Sequence, residues 1–169
     1  MQPKAQSQYQ VRFDIGVDSP LAGSDDLDLV VLIDTLGLND RVPSAKAQMV
    51  QGGFSNPSAI AAWTLEVQSK ANDRCTVLVL AVEGVSSEFA VENFLAAGAV
   101  IDSLASVGID YCSPEAASAC AAFLGLKGAL THLVSASTAG RSLAQDGEFF
   151  IERTELDRLT SVEVLRGID

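Results

Sequence analysis

Two carboxylates stand where apolar runs end and a third lies shortly beyond, and such positions can do chemistry. Asp34 follows the run LVVLI at Leu29–Ile33, and Glu83 follows the run at 76–82. Glu92 lies nine residues beyond Glu83, among apolar neighbours. A carboxylate at the carboxyl edge of a sheet can hold Mg²⁺, which takes one or two such ligands and keeps several waters. A second acid nearby could complete the metal site or orient a water for attack on phosphorus. Each also has a plainer reading: Asp34 as a loop cap, Glu92 as a solvated acid. Glu88 reads best as an acid in a first helical turn, where the helix dipole favours it.

A second set of residues could hold an anion. Gly52-Gly53-Phe54-Ser55-Asn56 leads into Pro57 and an amphipathic run. Free N–H groups at a helix N-terminus, approached through glycines, make a phosphate cradle. The same residues would also serve a simple strand–turn–helix connection. Arg141, after Gly140, could clamp a phosphate in a bidentate manner, or face solvent. The single histidine, His132, sits among Leu130, Leu133 and Val134 and reads as a helix residue. Cys75 and Cys120 read as core, and Cys112 has no evident base beside it.

These positions need elements to hold them. Alternation of Val11, Phe13 and Ile15 with Arg12 and Asp14 suits an edge strand. Leu29–Ile33 and 76–82 are continuous apolar runs rich in β-branched residues, as expected of strands covered on both faces of a parallel sheet. A short strand is expected at 49–51. Asn56 and Pro57 are good N-cap and N1 residues for a helix over 57–70. A helix over 87–106 follows, its small patch Ala97-Gly98-Ala99 allowing close approach of a neighbour, and Gly108 stops it. Ser113-Pro114-Glu115 opens a helix through residue 123, and further helices are expected at 129–135, 138–145 and 151–159. Residues 162–165 suit a closing strand. The order predicts an α/β fold: three layers, a mostly parallel sheet with flanking helices, and a helix-rich C-terminal third. Residues 1–10 read as a flexible tail and 11–169 as one domain.

Composition narrows the partners. The 169 residues carry a net charge of −11, which repels nucleic acid and anionic membranes. At 48% hydrophobic residues the chain can build a core. Its three cysteines cannot all pair, and with no cysteine–histidine cluster for zinc they read as reduced thiols of a cytoplasmic protein. No signal peptide is expected at the start. The softest stretch, 94–107, is broken by Asp102 and too short to span a bilayer.

The segments VLIDTLG (31–37), GGFSNPSAIAAW (52–63), VLVLAVEG with EFAVENFLAAGAVIDSL (77–84 and 88–104), SPEAASACAAF (113–123) and SASTAGRSLAQDG (135–147) carry a resemblance. In that order they resemble the 2-phosphosulfolactate phosphatase family. The resemblance implies an α/β fold and Mg²⁺-dependent hydrolysis of a small phosphate monoester. It implies Asp34 and Glu92 as catalytic residues, and Asp34, Glu83 and Glu92 as metal ligands. Gly52, Gly53, Ser55, Asn56 and Arg141 would bind phosphate.

The sequence also departs from the family. The family's aspartate–valine–leucine–arginine appears as Asp34-Thr35-Leu36-Gly37, without the arginine. Its glutamate–aspartate pair appears as Glu92-Asn93, an expected acid after Gly147 appears as Phe150, and the middle segment is shortened. Two expectations follow. One is a Mg²⁺-dependent phosphatase acting on a small anionic phosphate ester. The other is a catalytically inactive, shortened homologue that binds a ligand or itself, a homodimer covering apolar surface that the shortened sheet exposes.

Overall fold

In the computed structural model, which describes residues 5–167, a five-stranded sheet organises the chain. The strands are β1 (Val11–Ile15), β2 (Leu29–Ile33), β3 (Gln48–Gly52), β4 (Val77–Ala81) and β5 (Glu163–Arg166). They lie in the order β1-β4-β2-β3-β5. The first four are parallel, and β5 returns antiparallel on β3. The helices are α1 (Pro57–Ala71), α2 (Val91–Ser106), α3 (Pro114–Leu126), α4 (Leu130–Ala136) and α5 (Thr138–Gln145). The expected α/β fold with its mostly parallel sheet is therefore the observed one.

The period of two along each strand divides the core. Val31, Ile33, Val79 and Ala81 join the helix-covered cluster, with Ile60 of α1 and Leu95, Val100 and Leu104 of α2. Val30, Leu32, Leu78 and Leu80 face the other side. That side is covered by irregular chain, through Val17, Leu21, Leu27, Ala45 and Ala47, so the third layer is not helical. All five residues of both β2 and β4 are buried, which is why these runs are apolar throughout. Each such aliphatic side chain contributes roughly 1.5–3 kcal/mol of burial.

β1 is an edge strand whose outer side is partly covered. Val11 bridges Cys112, and the amide of Ser113 donates to Val11 O at 2.9 Å. Arg12 is buried at 2% exposure, and its guanidinium forks onto Asp26 at 3.1 and 2.7 Å while also donating to Tyr9 O and Ser7 O. These bonds, with Gln6 bonded to both the amide and carbonyl of Phe13, tie the segment before β1 to the sheet. Of the tail expected at 1–10, residues 1–4 lie outside the described residues.

Three expectations on helices need correction. α2 begins at Val91, not near 87. Gly84 N donates to Glu88 O, Ser86 N donates to the Glu88 carboxylate at 2.8 Å, and Ser87 has φ +60°. The Glu88 side chain thus closes a compact loop before the helix starts. At 151–159 only a 3-10 turn forms, Ile151–Thr154, because the polar groups beyond it bond to the head of α1. The softest stretch is Pro114–Ala136 and not 94–107, and among the described residues it is long and apolar enough by length and composition alone to cross a membrane. It is divided into α3, a 3-10 turn and α4, and α3 packs on α2.

Candidate functional site at the carboxyl edge of the sheet

The chain leaves the adjacent strands β2 and β4 over opposite faces. From β2 it crosses the irregular face to β3, and from β4 it enters α2 on the helical face and proceeds towards β1. Such a reversal is a topological switch point, and ligands of open α/β sheets bind in the crevice outside it. Here that crevice is filled from within. Asn93, 4% exposed, accepts a hydrogen bond from Thr35 N at 2.8 Å through Oδ1. Its Nδ2 donates to Val82 O at 2.9 Å. The side chain is a strut between the two strand ends, and its task needs one acceptor and one donor.

The open cleft lies one strand further along, at the ends of β2 and β3. It encloses about 230 Å³ and is lined by Asp34 and Thr35, the turn from Gln51 to Asn56, and Arg153, Arg158, Leu159, Ser161 and Glu163. Its size suits a small ligand, below the usual span of drug-sized pockets.

The residues singled out in the sequence divide between this cleft and the loops around it. Asp34 lines the cleft, and its carboxylate accepts from Gly37 N and Leu38 N at 3.1 and 3.3 Å and from Asn39 N at 3.0 Å. It caps the loop after β2 while remaining at the cleft wall. Gly52 and Gly53 have different tasks. A Cβ on Gly52 would sit 2.5–2.9 Å from Val31, Ile33 and Ile60, so this glycine is required by the core. A Cβ on Gly53 would meet nothing within 4 Å, although the residue itself is buried. Asn56 is the residue before α1 but its side chain does not cap it. It braces the turn instead, donating to Gln51 O and accepting from Gly53 N, both at 3.1 Å. Ser55 lines the cleft.

Glu83 and Arg141 lie elsewhere. Glu83 accepts from Val17 N at 2.9 Å and pairs with Arg41 at 3.2 Å, joining three loops. Arg41 also pairs with Asp18 at 2.5 Å, and this pair chiefly holds its guanidinium pKa above the ordinary value. Arg141 is exposed on α5 and is not among the residues lining the cleft. The cations that do line it, Arg153 and Arg158, escaped the sequence reading. They sit in a stretch without periodicity or motif, and only the antiparallel return of β5 brings them to the carboxyl edge. A usable signal was two arginines in the polar stretch before a terminal strand.

Glu92 is buried at 4% exposure, and its Oε2 has no hydrogen-bond partner. Burial pushes its pKa up from 4.5; its own amide and the Ser137 hydroxyl pull it back, and the charges of Asp34 and Glu88 push it further up. A carboxyl whose folded pKa is raised holds its proton more firmly in the folded state. Its stabilising contribution is full below the unfolded value and is lost as pH rises through the folded one. Glu92→Gln, which cannot ionise, is therefore expected to gain in melting temperature over the native chain as pH climbs above 4.5. Parallel melting curves across that range would show that Glu92 does not titrate as its burial requires.

Among the described residues, no group of three or more acidic, histidine or cysteine side chains is gathered as for a metal ion. Glu83 is taken by Arg41 and a backbone amide, Glu92 is buried with its proton favoured, and both oxygens of Asp34 already accept bonds. The fold and the cleft define an α/β domain with a small polar site at the carboxyl edge of its sheet. No family model matches the chain, and no curated protein matches its sequence.

Proposed function

We propose that the chain binds a small phosphate-bearing anion in the cleft between β2 and β3, without the metal-dependent turnover of a complete phosphatase. The observation that carries this reading is that Arg153 and Arg158 line the same cleft as the turn from Gln51 to Asn56. Guanidinium forks suit phosphate oxygens, and the cleft's volume favours a small ester over a nucleotide. This is the shortened, ligand-binding homologue among the two expectations. Arg153 also donates to Leu36 O, which fixes its stem to the loop after β2. Inorganic phosphate and a small phosphate monoester, titrated calorimetrically, test the reading. Removal of either arginine is expected to weaken binding by about tenfold or more, the usual loss for a charge-assisted hydrogen bond.

A second reading is Mg²⁺-dependent hydrolysis of a monoester of the 2-phosphosulfolactate type. It is favoured by the unpartnered oxygen of Glu92, within reach of the charge on Asp34, and by the resemblance. Phosphate release from small monoesters with Mg²⁺ decides between the two, with Asp34→Asn as control. Turnover lost in that variant would support hydrolysis; absence of turnover with anion binding retained supports the binding reading. In either reading a second copy of the chain is the macromolecular partner to look for, since Val85, Phe89 and Phe149 stand well exposed.

A further inference from the structure

The cleft is lined by charges of both signs, and its free ones do not pair with each other. The Arg158 side chain makes no hydrogen bond or ion pair among the described residues, and Arg153 is anchored through its bond to Leu36 O. Glu163, the first residue of β5, has no side-chain partner among them either. In the ladder it stands opposite Gln51. Opposite residues of an antiparallel pair project from the same face of a sheet, so the carboxylate and the Gln51 amide are neighbours. Gln51 Nε2 donates to Gly52 O at 3.3 Å, and Oε1 accepts nothing among the described residues. The cleft therefore offers unfilled acceptors as well as unfilled donors.

A plain phosphate answers only half of this lining. The guanidinium groups attract it and Glu163 repels it. Asp34 adds a second negative charge, its oxygens already taken by loop amides. In a chain of net charge −11, an unpaired acid in an anion's cleft opposes binding unless the ligand brings a cation to meet it.

We propose that the ligand is a small phosphate monoester that also carries an ammonium group, its phosphate held by Arg153 and Arg158 and its ammonium by Glu163 and Gln51 Oε1. This rests on the reading of the cleft as a phosphate site and names the class of ester it takes. A volume of about 230 Å³ admits only a short chain between the two charged groups. Glu163 then sets specificity from both sides, attracting the amine-bearing ester and repelling its alkyl counterpart.

Calorimetric titration of the full chain with 2-aminoethyl phosphate and with propyl phosphate tests this, since the two differ by an ammonium in place of a methyl group. At about pH 8 both are dianions and the amine keeps its proton. The native chain is expected to bind the amino ester about fivefold more tightly, the upper range for a solvent-exposed ion pair. In Glu163→Gln that preference is expected to vanish, with propyl phosphate bound more tightly than by the native chain. Equal affinity of the native chain for the two esters would overturn the proposal and leave the phosphate site standing. A preference that survives undiminished in Glu163→Gln would overturn the role given to Glu163. Binding of neither ester would overturn the phosphate reading, and this proposal with it.

Discussion

Gly98→Ala is expected to lower the stability of the domain by about 3 kcal/mol, a fall in Tm of roughly 6–12 °C for a chain of this size. The reason is the contact between α2 and α3. A Cβ on Gly98 would run into the backbone of Ala119 and sit 2.7 Å from the Cβ of Phe123. Neither is the free end of a flexible side chain, so no rotamer change relieves the clash. The two helices would have to separate, and with them the buried face formed by Ala116, Ala119 and Phe123. Gly53→Ala is the matched control, since its Cβ would meet nothing within 4 Å. Thermal unfolding of the two variants checks the prediction; a Gly98→Ala chain as stable as the native one would mean that α2 and α3 do not approach as described.

Asn93→Asp is expected to cost at least about 3 kcal/mol near neutral pH, because the strut between β2 and β4 depends on a donor that a carboxylate lacks. Its Oδ1 could still accept from Thr35 N, but the second oxygen would face Val82 O at a site only 4% exposed. The loss should shrink at low pH, where a protonated acid can again donate to the carbonyl. The substitution is pointed, since the resemblance places an aspartate at this position. Urea unfolding at neutral and acid pH measures both parts. An Asn93→Asp chain of native stability at neutral pH would show that the crevice can hold an acid, and that Asn93 is no barrier to a family-like site.

The strands were legible because their cause is local. Leu29–Ile33 and Val77–Ala81 lie buried on both faces, and only unbroken apolar runs serve there. Gly98 was legible too, as part of a small patch where a helix could come close. What sequence could not show was competition for polar groups. Glu88 closes a loop in place of the first turn of α2, and Asp157 bonds Ser58 across 99 positions in place of extending a helix. The site divided along the same line. Asp34, Ser55 and the glycine turn were readable because strand ends in a parallel sheet gather at one edge. Arg153 and Arg158 reach that edge only through the antiparallel return of β5. The role of Asn93 depends on two backbone groups from different strands. From sequence it registered only as a missing acid.

The most direct test of the account is calorimetric titration of a small phosphate monoester into the native chain and into Arg153→Ala, Arg158→Ala and Arg141→Ala. The account predicts one site per chain, weakened by about tenfold or more in the first two variants and unchanged in the third. Binding that is lost in Arg141→Ala but kept in the other two, or no binding by the native chain, would contradict it.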